Sequence, residues 1–369
     1  MSASYQVVVK NFADTTTFGP GAVKTILTDA VNVGWSEYLN DVGECFFTVS
    51  QEDPKIQDLK AAALTYGYHV HVYRNGVLVW GGWLGEADET ISDVVFHAYS
   101  YISGFYHYVT AWDTEWVSQN ADKIIEDTFD YAKALAKSRV GWLTKGTIQT
   151  LWVESGGPTT LAMPLYKASY KRALSVFREI AAYAISDTTN RVKFEVTPAG
   201  VFNLWRNDMT ALSDQRWALG SRVRSYRRIR LPVDRRNEIL AVGSSPQDVA
   251  LRTTVTKTAH RDAWGLKQEP IYLQWVRDAS ELSRVANLRA GRAVRVDSDF
   301  YVFFFKDSVV PFRATGADYS LGDTIDFTIS RGLTGLSAGA GEEKIVAGQQ
   351  VIFRDGSEYV RALLTDKLG

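Results

Sequence analysis

Over residues 4–110 apolar and polar residues alternate in short runs or form brief apolar blocks, notably at 45–49, 69–73, 77–80 and 94–99, with turn residues between them. A period of two is the mark of a strand with one face buried, so this stretch predicts an all-β unit. Within residues 70–80 the dipeptide Asn75-Gly76 separates two such runs. A type I′ turn needs positive φ at both central residues, and Asn-Gly tolerates that, so a tight hairpin is predicted there.

Past Thr110 the period lengthens. Ile124, Ile125, Phe129, Ala132, Leu135 and Ala136 recur at helical spacing behind Asn120, a candidate N-cap. A second helix is predicted over 169–185, with Ala173, Leu174, Phe177, Ile180, Ala181 and Ala184 in one stripe. Residues 192–205 then read as a hairpin turning at Pro198-Ala-Gly200. Strands resume near Arg222 and continue at 237–243 and 251–258. A third helix starts near Asp278, where Glu281 stands at capping-box spacing ahead of Leu282, Val285 and Ala286. Further strands are predicted at 300–305 and 324–329, and a last pair around 351–353 and 359–364 joined by Arg354-Asp-Gly-Ser, beyond a glycine-rich stretch at 332–341.

These elements predict a β-rich α+β multidomain chain, two β-barrel or sandwich modules with an inserted α/β domain. The expected units are a first β-barrel domain at 1–109, an inserted α/β domain at 110–210, a second β domain with one helix at 211–331, and at 332–369 the glycine-rich loop with strands that close a barrel. The length of 369 residues suits two to four domains.

Composition narrows the function. Hydrophobic residues at 46% and charged residues at 22% fit a folded globular chain, and a formal charge of −1 supplies no general basic field for nucleic acid or anionic lipid. Cys45 is the single cysteine, so an intrachain disulfide and a four-thiolate metal cage are both excluded. No run approaches the roughly 20 apolar residues of a membrane span, and the N-terminus lacks signal-peptide character, so synthesis in the cytoplasm and no stable membrane insertion are expected. Eleven tryptophans and 18 tyrosines point to packed interfaces as well as cores.

Four local patterns resemble the hub family of tailed bacteriophages. The first is Leu39-Asn-Asp-Val-Gly-Glu-Cys-Phe-Phe-Thr-Val49 ahead of Asp53-Pro54; the second is the strand-turn-strand of 67–83 with its closing Gly81-Gly82-Trp83. The third is Asn237-Glu-Ile-Leu-Ala-Val-Gly243, followed by a loop His260-Arg-Asp-Ala-Trp-Gly265. The fourth is the helix of 278–291 followed by Leu321-Gly-Asp323. Together they span about 35–330, in the family's order.

The resemblance implies a structural protein of the virion, at the tail tip or baseplate, as in siphoviruses. It implies a homotrimer whose paired β modules match a sixfold tail tube, capping the tube and gating DNA passage during genome ejection. Implied partners are the distal tail protein, the tape-measure protein inside the tube, and tail-fibre or receptor-binding proteins. The hub of a gene transfer agent or of a phage-derived injection device would share this logic. A carbohydrate-binding or carbohydrate-active β protein is the rival from another class, motivated by Trp80, Trp83, Trp112 and Trp116 as a sugar-stacking platform. Those tryptophans equally suit a barrel end packed on the inserted domain.

Candidate chemistry is sparse. No cofactor, no metal and no catalytic residue is expected: nucleophile-elbow, His-Glu-x-x-His and phosphate-loop motifs are all missing from the sequence. Glu86, Asp88 and Glu89 are read as an exposed loop rather than a glycosidase pair. His69 and His71 face the same way on a strand, the spacing of a metal half-site, and are read as polar residues on the outer face of a barrel strand. His97, His107 and His260 are isolated.

Residues 221–236 hold seven arginines, Arg222, Arg224, Arg227, Arg228, Arg230, Arg235 and Arg236, against one aspartate. Alternation would put Arg222, Arg224 and Tyr226 on one charged face. This strip is the candidate subunit interface or lumen lining, through ion pairs or DNA phosphates, with a solvated face as the plain alternative. The aromatic run 300–305 is expected in a core or subunit interface rather than a membrane.

Overall fold

The computed structural model describes residues 4–13, 18–28, 32–57, 59–60, 68–111, 113–149, 152–154, 158–160, 162–184, 192–206, 211–218, 223–230, 236–244, 250–273, 276, 278–293, 299–305, 319, 321–328 and 342–366. The glycine-rich 332–341 and Trp112 lie outside them.

Seven strands come first: β1 (Tyr5–Phe12), β2 (Pro20–Leu27), β3 (Asn32–Tyr38), β4 (Glu44–Ser50), β5 (Tyr68–Arg74), β6 (Val77–Glu89) and β7 (Asp93–Ser100). They pair antiparallel in the spatial order β3-β4-β7-β6-β5-β1-β2. Asn75 and Gly76 take φ of 49° and 79°, as the predicted hairpin turn requires.

A 3-10 turn, Tyr101–Tyr106, leads into the middle segment. It contains β8 (Glu115–Asn120), α1 (Ala121–Ala134), β9 (Thr144–Ile148), β10 (Trp152–Glu154), β11 (Pro158–Thr160), β12 (Ala162–Lys167), α2 (Ala173–Ala184), β13 (Val192–Val196) and β14 (Val201–Arg206). Both amphipathic helices bury most of the predicted stripes: Ile124, Ile125 and Phe129 of α1 and Leu174, Phe177 and Ile180 of α2 join Phe105, Phe194 and Phe202 in one cluster, whereas Leu135 and Ala136 lie past the end of α1, Ala136 exposed. Asn120 precedes α1 but makes no side-chain cap.

The third segment holds β15 (Ala211–Ala218), β16 (Val223–Arg230), β17 (Glu238–Gly243), β18 (Arg252–Thr256), α3 (Thr258–Trp264), β19 (Gln268–Leu273), α4 (Ala279–Ala293), β20 (Asp299–Phe305), β21 (Thr324–Thr328), β22 (Glu342–Arg354) and β23 (Ser357–Asp366). The motif around His260, expected as a loop, is the short helix α3. Strands β18-β17-β19 form a separate sheet with α4 packed on it, burying Leu282, Ala286 and Ala290 with Ile239 and Ala241.

The remaining late strands rejoin the first seven. β22 pairs antiparallel with β3, Val351 opposite Trp35, and β23, β20 and β16 continue outward from it to an edge. The result is one 13-stranded sheet, with β21 and β15 branching from β22. One core fills its inner face, centred on Trp35, Phe47, Trp80 and Phe96 with Val351 and Leu364; a second comprises the helices of the middle segment together with α4 and β17. Among the described residues no helix is long and apolar enough to cross a membrane.

The Gly81-Gly82 pair sits where the middle segment meets this sheet. A Cβ on Gly81 would lie 2.5 Å from the Pro198 carbonyl oxygen and 2.9 Å from the Tyr101 ring, so a bare backbone is what lets the β13–β14 hairpin approach β6. Gly81→Ala is therefore expected to cost about 1–3 kcal/mol, read from denaturant unfolding. A loss below about 0.5 kcal/mol would show that the hairpin gives way freely.

Candidate functional site

The same junction holds an enclosed polar cluster. Both faces of β5 are covered: Val70 and Val72 enter the sheet core, while His69 and His71 point to the other side, 0% and 4% exposed. They are not on an outer barrel face, because the middle segment lies over that side of the strand. His69 Nε2 is 2.9 Å from the Phe18 carbonyl oxygen, and His69 Nδ1 and His71 Nε2 lie 2.9 and 2.8 Å from Tyr101 Oη.

The proton positions follow from these partners. A carbonyl only accepts, so His69 Nε2–H donates to Phe18 and Nδ1 accepts from the Tyr101 hydroxyl; the tyrosine oxygen then accepts from His71 Nε2–H. Both rings are neutral in this arrangement. Burial pushes His69 down to about 4 and His71 to about 3, with the Lys10 charge acting in the same direction. Tyr101 is held in its neutral form, raised well above the usual phenol range by burial. Trp83, Trp142 and Phe12 surround the group, with the Trp83 and Trp142 rings edge-on to Tyr101 at 5.0 and 4.9 Å. With both His69 nitrogens committed, the half-site has no lone pair for a cation from that ring; among the described residues no cluster of three or more metal-ligating side chains occurs.

A second cluster locks β1 and β5 to β23. Arg74 Nε and Nη2 each donate to Glu358 at 2.8 Å, a bidentate pair with side chains 18% and 10% exposed, and the Tyr5 hydroxyl donates to the same carboxylate.

The arginine strip falls on an edge. β16 pairs with β20 on one side, and no strand among the described residues pairs with its other side. Arg224 and Arg227 are exposed, Val223 is buried, and Tyr226 is half-buried against the sheet core. Strict alternation had placed Tyr226 with the arginines. The register shifts between Val223 and Ser225, so a bulge at Arg224 adds one residue and turns Tyr226 inward. Arg228 and Arg230 continue the strand, facing Tyr301 and Asp299 in register, and Arg236 is half-buried ahead of β17. Arg222 and Arg235 lie outside the described residues.

Other candidates resolve simply. Trp80 and Trp83 are buried and Trp116 is half-buried, its indole N–H donating to Asp127 at 3.0 Å, so these three form no open stacking platform. In the aromatic run, Phe305 is buried and Phe304 lies under the Arg361 guanidinium at 5.1 Å. Glu86, Asp88 and Glu89 are exposed at the end of β6 rather than in a loop; Glu89 pairs with Lys60 and Asp88 with His97. His107 is exposed and His260 half-buried on α3. What sequence reasoning missed is the role of Tyr101 and of the Arg74–Glu358 pair; the paired glycines at 81–82 were the available signal for a close approach.

This arrangement, a long antiparallel sheet built from both ends of the chain and interrupted by an α/β segment, is the architecture of solved tail proteins of phages and prophages. The 43 kDa tail protein of prophage MuSo2 from Shewanella oneidensis matches with a TM-score of 0.63 at 12% identity, over 98% of this chain and 98% of that one. The tail protein from Neisseria meningitidis MC58 matches with a TM-score of 0.63 at 8% identity, over 98% and 97%. A prophage tail protein from Listeria monocytogenes EGD-e matches with a TM-score of 0.54 at 10% identity, over 97% and 94%. No family model and no curated protein matches the sequence. At such identities the likeness is one of fold.

Proposed function

We propose that this chain is a structural hub protein of a phage tail, a non-enzymatic subunit at the tail tip that assembles as a homotrimeric ring on the end of the tail tube. The observation that carries this reading is the likeness of fold over essentially the whole length of solved prophage tail proteins. In this reading 1–109 and 211–331 supply the two tube-like units of each protomer, 110–210 stands outside the ring, and 332–369 closes a barrel. Distal tail protein, tape-measure protein and receptor-binding subunits are the partners, and DNA passes through the lumen.

The edge strand β16 is the proposed intersubunit surface. An open edge bearing Arg224 and Arg227 offers both unpaired backbone groups and guanidinium groups suited to carboxylates of a neighbour. Light scattering and negative-stain imaging of the purified chain test the ring: a trimer with a central opening is expected. A monomer at high concentration, alone and with neighbouring tail proteins, would end the proposal.

The strip is tested separately. Arg224→Glu with Arg227→Glu should abolish assembly while leaving protomer stability within about 0.5 kcal/mol, since both side chains are exposed. Unchanged assembly would return β16 to the status of a charged, solvated edge.

A further inference from the structure

Between the β3–β22 seam and the β13–β14 hairpin lies a cleft of about 240 Å³. Its polar lining includes Glu37, Gln349, Glu195 and Asp41, and Val79, Phe194 and Val196 are among its apolar walls; among the described residues no lysine or arginine lines it. The acids are not equivalent. Asp41 is paired with Arg178, and Glu195 with Lys193 at 3.0 Å, whose ammonium also lies over the Trp205 ring.

Glu37 has no cation in contact with it; Lys193 acts on it only from beyond ion-pair distance. Glu37 sits opposite Gln349 in the β3–β22 register, accepts a hydrogen bond from Gln349 Nε2, and has no ion-pair partner among the described residues. Gln349 is 6% exposed, and its Oε1 is buried with no hydrogen-bond donor. A half-buried carboxylate with no cation in contact, beside an unpartnered amide oxygen in an apolar-walled cleft, is a pair of acceptors matched to N–H donors on an aliphatic stem.

The geometry points to a binding site for the side chain of an arginine or lysine presented by another polypeptide, with its cationic head against Glu37 and Gln349 and its stem along the apolar wall of Val79 and Val196. The volume favours a side chain over a free ligand, being below the roughly 300–1,000 Å³ of small-molecule pockets. Burial raises the Glu37 carboxyl to about 7; the Gln349 hydrogen bond and Lys193 act to lower it and Glu195 to raise it further. An entering cation favours the ionised form, so binding should strengthen as pH rises through 7.

The test is calorimetric titration of the full chain, at matched ionic strength, with the blocked tripeptide Ala-Arg-Ala, its Ala-Ala-Ala counterpart and agmatine. The arginine peptide is expected to saturate with a Kd on the order of 1 mM at pH 8 and to weaken about tenfold at pH 6. Glu37→Gln should abolish this while leaving thermal stability at pH 8 at or above that of the wild type, because it replaces a buried carboxylate by its neutral isostere. Gln349→Leu should weaken it. Three outcomes overturn the inference: equal affinity for Ala-Ala-Ala, undiminished binding by Glu37→Gln, or affinity independent of pH. Binding of agmatine without the arginine peptide would refute the polypeptide source.

Discussion

Glu358→Ala is expected to lower stability by about 3–5 kcal/mol, the cost of stranding a mostly buried guanidinium. Arg74 is 18% exposed and spends two N–H groups on Glu358, and the buried Tyr5 hydroxyl uses the same carboxylate. Truncation leaves three donors unsatisfied at the contact that holds β23 against β1 and β5. Glu358→Gln keeps one oxygen and loses the charge, so a smaller deficit is expected. The double variant Arg74→Met with Glu358→Met should recover part of the loss, because removing both charges avoids the uncompensated one. Calorimetric melting of the four proteins is decisive: Glu358→Ala within about 0.5 kcal/mol of wild type would mean that the pair is water-screened and contributes little.

Acid is expected to weaken the protein through His69 and His71. Both are neutral and buried when folded, at about 4 and about 3, whereas in the unfolded chain each protonates near 6.5. The unfolded state thus binds more protons below pH 6.5, and stability present above that pH is lost as pH falls toward 4. At pH 5 the loss is roughly 2 kcal/mol per histidine. Glu37 works in the opposite sense: its pKa is raised on folding, so its contribution is full below about 4.5 and lost as pH rises through 7. Denaturant melts at pH 7 and pH 5 are therefore compared in the Glu37→Gln background. The double variant His69→Asn, His71→Gln should show a flatter dependence there; an unchanged slope would locate the acid sensitivity in other groups.

Much of the local structure was legible because its causes are local. Asn75-Gly76 specified a turn by φ alone, Pro198-Ala-Gly200 a second one, and the stripes of α1 and α2 met each other as their spacing required. The β-rich α+β class followed from these. The site was less legible, for three physical reasons. Alternation placed His69 and His71 on a common side of β5 but contains no information on what covers that side. Insertion of one residue at the β16 bulge reversed the facing of Tyr226 without any change in polarity that would signal it. Pairing of β22 with β3 depends on residues far apart in sequence, for which neither propensity nor periodicity provides a cue.

That pairing also constrains how the molecule is made. Trp35 lies on a strand whose partner, carrying Val351, is synthesised roughly 300 residues later. At translation rates of about 5–20 residues per second, β3 waits on the ribosome for roughly 15–60 s with one row of backbone amides and carbonyls unclaimed. During that interval neighbouring nascent chains on a polysome compete for the vacancy that β22 will fill, so chaperone supply and codon pace over the intervening segment should govern the yield of soluble protein more strongly than the stability of the finished fold.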